Sequence, residues 1–370
     1  MTTHRKLKIY SDKSFLLPGQ RHAQILFPFW GVVQKPWIGP QLPRYNKWSE
    51  VGGQWFEMTS LEDCDLAVVP AEDGNWSAMK EGALRFVEQA YQAGKPCVLF
   101  FIGDSAEPLE VPHCHIFRTS LERTKTHPGE YAIPAWSEDF VSEYWDAMLP
   151  VREKNARPVV GFCGQPGPFR LIQRVKLLPR RLVHSALSLF GPSDKKRGIQ
   201  QRRLEEGSFP GLDPSHIRAM ACRALLKSDR VTANFQFGNG YFDLRCVEKQ
   251  MRARQDLLAN IRESDYILCA RGQGNFSYRL YETLCSGRIP VFINTDCVLP
   301  FQDRLDWKSF CVWVEADEVK NIGQIIADFH SALTPEAFIT LQETCRKVWV
   351  EWLSPEGFFQ KFSEWFVEKK

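Results

Sequence analysis

The chain has 370 residues, 44% of them hydrophobic and 25% charged, and a formal net charge of +3 at pH 7. This composition is typical of a globular protein and excludes an intrinsically disordered one. A single hydrophobic core seldom grows beyond about 250 to 300 residues, so we expect two domains with a cleft between them. Because no run reaches the ~20 apolar residues of a membrane-spanning helix and no signal-peptide core follows the basic first residues, we expect a cytoplasmic protein.

The cysteines predict reduced thiols. Eleven are scattered between Cys64 and Cys345 without a C-x-x-C pair, and most lie in apolar runs. We interpret them as core residues and not as disulfides or zinc ligands. Asn75 and Asn275 begin Asn-x-Ser sequons. A glycan on Asn275 would block the loop described below, which also favours a compartment without N-glycosylation.

The positive charge is concentrated in one segment. Between Arg170 and Arg203 there are ten Lys or Arg residues and a single acid, Asp194. Apolar residues are interleaved with these charges, so the segment could bind an anionic membrane or a polyanionic glycan; a solvated helical hairpin is the alternative. Nucleic acid is not an expected partner, because no recognised binding motif accompanies the charge.

The first half alternates short apolar strands with helical stretches, the pattern of a parallel sheet wound with helices. A proline-terminated strand at 66–70, an amphipathic helix at 77–94 and a buried strand at 97–103 predict one β-α-β unit. A further strand is predicted at 115–118. The stretch 130–134 leads into a loop rich in Trp and Asp.

The second half repeats this pattern. A charged stretch at 152–158 precedes a strand at 159–164 that ends in a Gly/Pro loop. We therefore predict an N-terminal domain of residues 1–156 and a C-terminal domain of residues 157–336. Helices are predicted near 215–227, 246–264, 277–287, 319–333 and 335–352, and strands near 232–237, 266–270 and 289–293, before an aromatic-rich tail at 355–367.

The strongest functional signal is the stretch 269–282, where a buried strand opens into a glycine-containing loop and then a helix. Such a junction presents backbone N–H groups and the positive end of the helix dipole to an anion, and diphosphate is the obvious guest. Gly272 and Gly274 would let the backbone approach this ligand, Asn275 lies in the same loop, and Ser277 stands at the N-cap position.

Charged side chains flank this loop. Arg271 and Arg279 can make charge-assisted, bidentate contacts with a departing pyrophosphate. Glu282 lies on the same side of the helix as Arg279 and suits the ribose hydroxyls of a nucleotide. The alternative is an ordinary helix start with an Arg279–Glu282 surface ion pair, because the spacing fits neither the Rossmann nor the Walker loop.

Several uncommon elements follow one another in this region. The run Arg-Gly-x-Gly-Asn-x-Ser-x-Arg-x-x-Glu from Arg271 precedes Cys-Ser-Gly-Arg-Ile-Pro-Val at 285–291, Leu-Pro-Phe at 299–301 and Leu-Asp-Trp at 305–307. In this order they resemble the signature of the exostosin family, glycosyltransferase family 47. The resemblance is close over 265–325 and loose over the first half.

The resemblance implies an α/β, GT-B fold of two Rossmann-like domains facing across a cleft, with a helix at about 337–370 crossing back to the first domain. It implies inverting, metal-independent transfer of a sugar from a UDP-sugar to a glycan hydroxyl, without a cofactor, in polysaccharide or glycoconjugate synthesis. Motif matching places the donor at Arg271, Ser277, Arg279 and Glu282. We do not infer heparan-sulfate polymerase activity, because the membrane anchor and second catalytic domain of the eukaryotic exostosins are not expected here.

Inverting transfer needs a base from the first domain that takes the proton of the acceptor hydroxyl. Asp104 is the first candidate because it follows the strand 97–103, and Asp73 and Glu130 are the others; each could instead be a loop or capping acid. We reject the D-x-D motif at 63–65 as a metal site because it precedes its strand.

Three alternatives remain open at this point. The chain could be a catalytically inactive module that binds anionic glycan or membrane through 170–203, at the cytosolic face of a membrane. It could also be a retaining transferase or a sugar-nucleotide epimerase on the same fold.

His113-Cys114-His115 supplies too few ligands for a metal site and is predicted to belong to a strand.

Overall fold

A computed structural model of the protein describes residues 5–33, 43–166, 214–238 and 246–368. The basic segment 170–203, with its predicted membrane or glycan contact, lies outside these residues. In the described part of the chain, no helix combines the length and the apolar character that crossing a bilayer requires.

The first half is built on a parallel sheet of six strands. Across the sheet they follow the order β2-β1-β3-β4-β5-β6. The strands are β1 (Leu7–Tyr10), β2 (Phe56–Met58), β3 (Leu66–Val68), β4 (Cys97–Phe101), β5 (Cys114–Arg118) and β6 (Glu130–Ala132). The helices are α1 (Phe27–Trp30), α2 (Asn46–Val51), α3 (Trp76–Gln92) and α4 (Phe140–Tyr144), with 3-10 turns at Lys13–Phe15, Gln24–Leu26, Gly52–Gln54 and Arg123–Lys125.

The second half contains a parallel sheet of five strands in the order β11-β10-β9-β7-β8. The strands are β7 (Val159–Gly164), β8 (Thr232–Phe237), β9 (Tyr266–Cys269), β10 (Ile289–Asn294) and β11 (Val312–Glu315). The helices are α5 (Pro214–Lys227), α6 (Val247–Arg262), α7 (Tyr278–Cys285), α8 (Ile322–Ala332), α9 (Pro335–Val348) and α10 (Pro355–Glu368), with 3-10 turns at Trp307–Ser309 and Ala316–Asn321 and a π-helical turn at Trp349–Leu353.

Both sheets are wound in the same way. In each, the second strand lies outside the first, and the third and later strands continue on the other side. The strand order therefore reverses beside β1 and again beside β7, and open α/β sheets bind ligands at the carboxyl ends of strands at such a reversal. The predicted α/β architecture and the β-α-β unit of β3, α3 and β4 are confirmed.

Four of the described strands were not predicted: β1, β2, β6 and β11. Each has only three or four residues, and β1 and β11 alternate buried with half-buried positions. A short strand of that kind lacks the continuous apolar run that marks the buried strands β4 and β9. These strands form through pairing with buried neighbours, which a local pattern does not encode.

Helix α10 packs against the first sheet, although it ends the chain. Phe358, Phe359 and Phe362 are buried in one cluster with Leu7 of β1 and Val98 of β4. The ring of Phe359 also stacks on that of Trp48, with centroids 4.5 Å apart. The core of the first half therefore includes side chains from both extremities of the described chain.

The two rejected metal motifs have structural roles in the fold. Asp65 accepts a hydrogen bond from the Lys8 amide and pairs with Arg5 at the amino end of β3. The imidazole of His113 stacks on Tyr91 at 3.8 Å, and the predicted strand is found as Cys114–Arg118. Within the described residues no group of three or more His, Cys, Asp or Glu could hold a metal ion. All eleven cysteines are free thiols.

A hydrogen-bonded seam joins the halves. It consists of residues 120–124, after β5, and residues 295–298, after β10. The amide and hydroxyl of Thr124 both donate to Oδ2 of Asp296, at 2.9 and 2.6 Å. Glu122 and Cys297 form an antiparallel β-bridge. The seam holds the carboxyl ends of the two sheets together beside the loop that follows β9.

Candidate active site

The predicted loop lies at the strand-order reversal of the second sheet. β7 and β9 are neighbours there, and Arg218 of α5 joins their carboxyl ends. Its guanidinium donates to the carbonyl oxygens of Gln165 and Arg271, each at 2.9 Å. Sequence analysis did not find Arg218, since it stands on an ordinary amphipathic helix with no motif around it.

Arg271 begins the loop and is largely buried, with 9% of its side chain exposed. Its Nη2 donates to the carbonyl oxygen of Gln273 at 3.2 Å, and its Nη1 lies 3.8 Å from Oε1 of Glu122 on the first half. Burial lowers the pKa of Arg271, and the charge of Glu122 opposes that shift. The guanidinium of Arg271 is therefore a positive charge beside the seam, and its ion pair with Glu122 is long, at 3.8 Å.

The two loop glycines differ in their surroundings. A Cβ on Gly274 would lie 2.5 Å from the ring of Phe276 and 2.9 Å from the Cα of Asp104. A Cβ on Gly272 would meet nothing within 4 Å. Gly274 is thus needed for close contact with the first half, whereas the backbone at Gly272 faces open space that a ligand can enter.

Asn275 fastens the loop to both halves. Its side chain is fully buried and donates to the carbonyl oxygens of Leu121 and Thr295, both at 3.0 Å. Its Oδ1 accepts from the Thr295 hydroxyl at 2.6 Å, and its amide N–H donates to Ser120 at 2.9 Å. Because both side-chain N–H donors are in use, the structure gives Asn275 a structural role, and its predicted contact with the donor stays a prediction.

Ser277 is the N-cap residue of α7, as expected. It has extended backbone angles (φ −138°, ψ 116°), and its hydroxyl makes no capping hydrogen bond. The side chain is mostly buried, with 6% of the residue exposed. The hydroxyl is thus not committed to the helix and lies at the positive end of the helix dipole, where an anion is favoured.

Arg279 and Glu282 form the ion pair that was the structural alternative. Nη1 of Arg279 lies 2.8 Å from Oε2 of Glu282, and Nη2 donates to the carbonyl oxygen of Cys163 at 3.0 Å. The pair is not on the open surface, because only 19% and 9% of the two side chains are exposed. Through Cys163, Arg279 also contacts β7, so it spans the same strand reversal as Arg218.

Asp104 is placed across from this loop, on the first half. Its Oδ1 accepts a hydrogen bond from the Gly274 amide at 3.2 Å, and the residue is otherwise exposed. Glu130 is instead bound by buried Arg118 at 2.9 Å and by the His127 amide. Asp73 accepts from the Asn75 amide at 3.2 Å. Among the three acids, Asp104 is the one with a hydrogen bond shown to the predicted donor loop.

Comparison with known proteins finds similarity in the part of the chain that contains this loop. Residues 227–329 match the family described as Exostosin GT47 domain. That range contains the strand β9, the loop, and the helix α7 that carries both Arg279 and Glu282. Residues 227–329 are thus similar to the exostosin GT47 domain. The two parallel α/β sheets, with the exostosin match on the second, fit the two-domain GT-B architecture that the resemblance implied.

Individual relatives match the same region. A protein of Arabidopsis thaliana named "Probable glycosyltransferase" is 33% identical over 88 residues, covering 24% of this chain and 16% of that protein. Exostosin-1 of Drosophila melanogaster is 28% identical over 108 residues, covering 29% and 14%. A protein of Oryza sativa subsp. japonica named "Probable glucuronosyltransferase" is 35% identical over 72 residues, covering 20% and 17%. The chain thus spans less than a fifth of the length of each of these relatives.

One solved structure aligns over more of the chain. It is alpha,alpha-trehalose 6-phosphate synthase from Burkholderia multivorans, which aligns over 82% of this chain and 70% of its own. The TM-score is 0.35 and the sequence identity 12%. At that level of similarity the alignment supports no conclusion about this protein.

Proposed function

We propose that the protein is a glycosyltransferase that moves a sugar from a UDP-sugar to the hydroxyl of a glycan, with inversion and without a metal ion. The observation that carries this proposal is the arrangement of the loop between β9 and α7. It combines the amino end of α7, the open backbone of Gly272 and the guanidinium of Arg279 at one strand reversal. The relatives named as glycosyltransferases support the reaction class.

In this proposal the loop binds the diphosphate of the donor. Backbone N–H groups at the helix start and the two arginines, Arg271 and Arg279, would stabilise the negative charge that develops as the sugar–phosphate bond breaks. Positive groups fixed in advance can supply that stabilisation where no metal ion is present. Glu282 would accept hydrogen bonds from the ribose hydroxyls, since an ionised carboxylate has lone pairs beyond those its arginine uses.

The acceptor would be activated from the first half. Asp104 would take the proton of the acceptor hydroxyl as that oxygen attacks the anomeric carbon and UDP departs. Its contact with the Gly274 amide keeps the carboxylate beside the donor loop. Inversion by a single displacement would further require that the acceptor oxygen attack from the face of the sugar opposite the departing UDP.

Nucleotide binding tests the proposal directly. UDP should raise the melting temperature of the wild-type chain, and Arg279→Ala should abolish the shift because it removes a charge-assisted contact to the diphosphate. Arg152→Ala is the matched control. Arg152 also forms a partly buried ion pair, with Asp265 of the second half at 2.6 Å, so this variant should lose stability but keep the UDP-induced shift.

Two product measurements test the finer statements. Transfer that continues in a chelator would agree with metal independence, and NMR of the product anomer would distinguish inversion from retention. Absence of any shift with nucleoside diphosphates in the wild type would overturn the proposal. An equal UDP shift in Arg279→Ala would overturn the role of the loop.

A further inference from the structure

Glu138 lies outside the exostosin region, in the loop between β6 and α4, and its carboxyl group is almost completely buried. Its side chain is 1% exposed, and Oε1 contacts Nη2 of Arg254. Oε1 also accepts from the Tyr144 hydroxyl at 3.4 Å, and Oε2 lies 4.0 Å from a guanidinium nitrogen of Arg44. Oε2 makes no hydrogen bond within the described residues. Burial raises the pKa of Glu138, and the charges of Arg254 and Arg44 oppose that shift.

Arg254 connects this carboxylate to helix α7, which carries Glu282. It stands on α6, with 11% of its side chain exposed, and Nη1 lies 3.6 Å from Oε1 of Glu282. Its guanidinium also lies over the ring of Phe140, 5.2 Å from the centroid. Because Oε2 of Glu282 is bound by Arg279, each carboxylate oxygen of Glu282 faces a different arginine.

The loop that carries Glu138 is firmly held. The next residue, Asp139, binds Arg346 of α9 through both carboxylate oxygens at 2.7 Å and caps the amino end of α4. The Phe140 amide donates to Sγ of Cys285, at the last residue of α7, at 3.2 Å. Glu138 is thus a fixed negative charge that lies close to the carboxyl end of α7 and is linked through Arg254 to Glu282 in the middle of that helix.

We propose that Glu138 is a positioning residue for the donor, acting through Arg254 to hold the carboxylate of Glu282 in the orientation that receives the ribose. We call Glu138, Arg254, Glu282 and Arg279 the charge relay. This inference rests on the proposed function, because it assigns Glu282 to the donor. It adds a residue of the first half, outside residues 227–329, to donor recognition.

The charges explain why the relay needs Glu138. Arg254 is shared between two acids, so only part of its interaction is available to Glu282. Without the negative charge of Glu138, Arg254 would attract Glu282 more strongly and draw its carboxylate away from Arg279 and from the ribose. An interaction transmitted in this way is non-additive, because Glu138 has no effect on the donor once Arg254 is absent.

The test is a double-mutant cycle of the full chain with UDP as the probe. Glu138→Gln, close in size, should weaken UDP binding by about tenfold in calorimetric titration, and the double variant Glu138→Gln/Arg254→Gln should bind no more weakly than Arg254→Gln. Glu138→Asp should recover part of the affinity. With a sugar donor, Glu138→Gln should raise KM and leave kcat within about twofold, as loss of uniform binding does.

Controls separate positioning from stability. Arg152→Gln breaks a partly buried ion pair with Asp265 of the second half, away from the relay, so it should lower the melting temperature without changing UDP affinity. If Glu138→Gln lowers the melting temperature but binds UDP as tightly as the wild type does, the relay is wrong while the proposed function stands. Additive losses in the double variant would also overturn it. If the wild type binds no UDP, the proposed function fails and the relay fails with it.

Discussion

At the scale of single residues, the site shows how one type of side chain takes different roles according to its neighbours. Asp104 follows β4 of the first sheet, and Glu130 is the first residue of β6. Glu130 is neutralised by buried Arg118, a structural ion pair whose loss would leave a charge without compensation. Asp104 meets only a backbone amide in the described contacts, and it faces the loop of the other half.

A conservative substitution tests Asp104 as the base. Asp104→Asn keeps an oxygen that can accept from the Gly274 amide but cannot take a proton from an acceptor hydroxyl. We expect kcat to fall by about 10² to 10⁴ while UDP affinity and melting temperature stay near wild type. Steady-state kinetics with a matched UDP titration would measure this. Full activity in Asp104→Asn would assign the base to another residue.

At the scale of elements, the loop between β9 and α7 contains two glycines: Gly274 has no room for a side chain, whereas Gly272 does. Gly274→Ala would push a Cβ against the backbone of Asp104. We expect a loss of about 1 to 3 kcal/mol in the free energy of unfolding, as overpacking of a close contact does. Denaturant titration at two wavelengths would measure it.

Gly272→Ala is the matched variant in the same loop. Its Cβ meets no protein atom within 4 Å, and Gly272 has no positive φ, so stability should hold. If the diphosphate lies against this backbone, the added methyl should weaken UDP binding by at least about tenfold, roughly 1.4 kcal/mol. Unchanged UDP affinity in Gly272→Ala would show that the diphosphate lies elsewhere.

At the scale of the whole molecule, the seam and Asn275 make the donor loop a joint component of both halves. Asn275 of this loop donates hydrogen bonds to the Ser120 hydroxyl and the Leu121 carbonyl oxygen on the first half. It also donates to the Thr295 carbonyl oxygen on the second half. A change in how the halves meet would therefore move the loop that is proposed to bind the donor. This coupling suggests that the halves unfold together.

Replacing Asn275 should uncouple them. Asn275→Ala leaves the carbonyl oxygen of Thr295 without its donor and that of Leu121 with only a long bond of 3.5 Å from the Val298 amide, at about 1 to 3 kcal/mol each if both stay buried. Calorimetry should then show two transitions in place of one. Asn260→Ala is the control, since this buried side chain donates to the Asn234 carbonyl oxygen within the second half. It should lower the melting temperature but keep a single transition, and two transitions in both variants would refute the coupling.

The sequence by itself determined the elements with long apolar runs and the motif that follows β9. Strands such as β4 and β9 are buried along their whole length, so their continuous apolar runs could be recognised in the sequence. Gly272, Ser277 and Arg279 lie within eight consecutive residues, so the motif could be recognised from the sequence as well. Only the tertiary structure decided which acids and arginines meet. Glu138 and Glu282 are 144 positions apart and share Arg254 because two sheets and a loop bring them together, and no periodicity in the chain encodes such a contact.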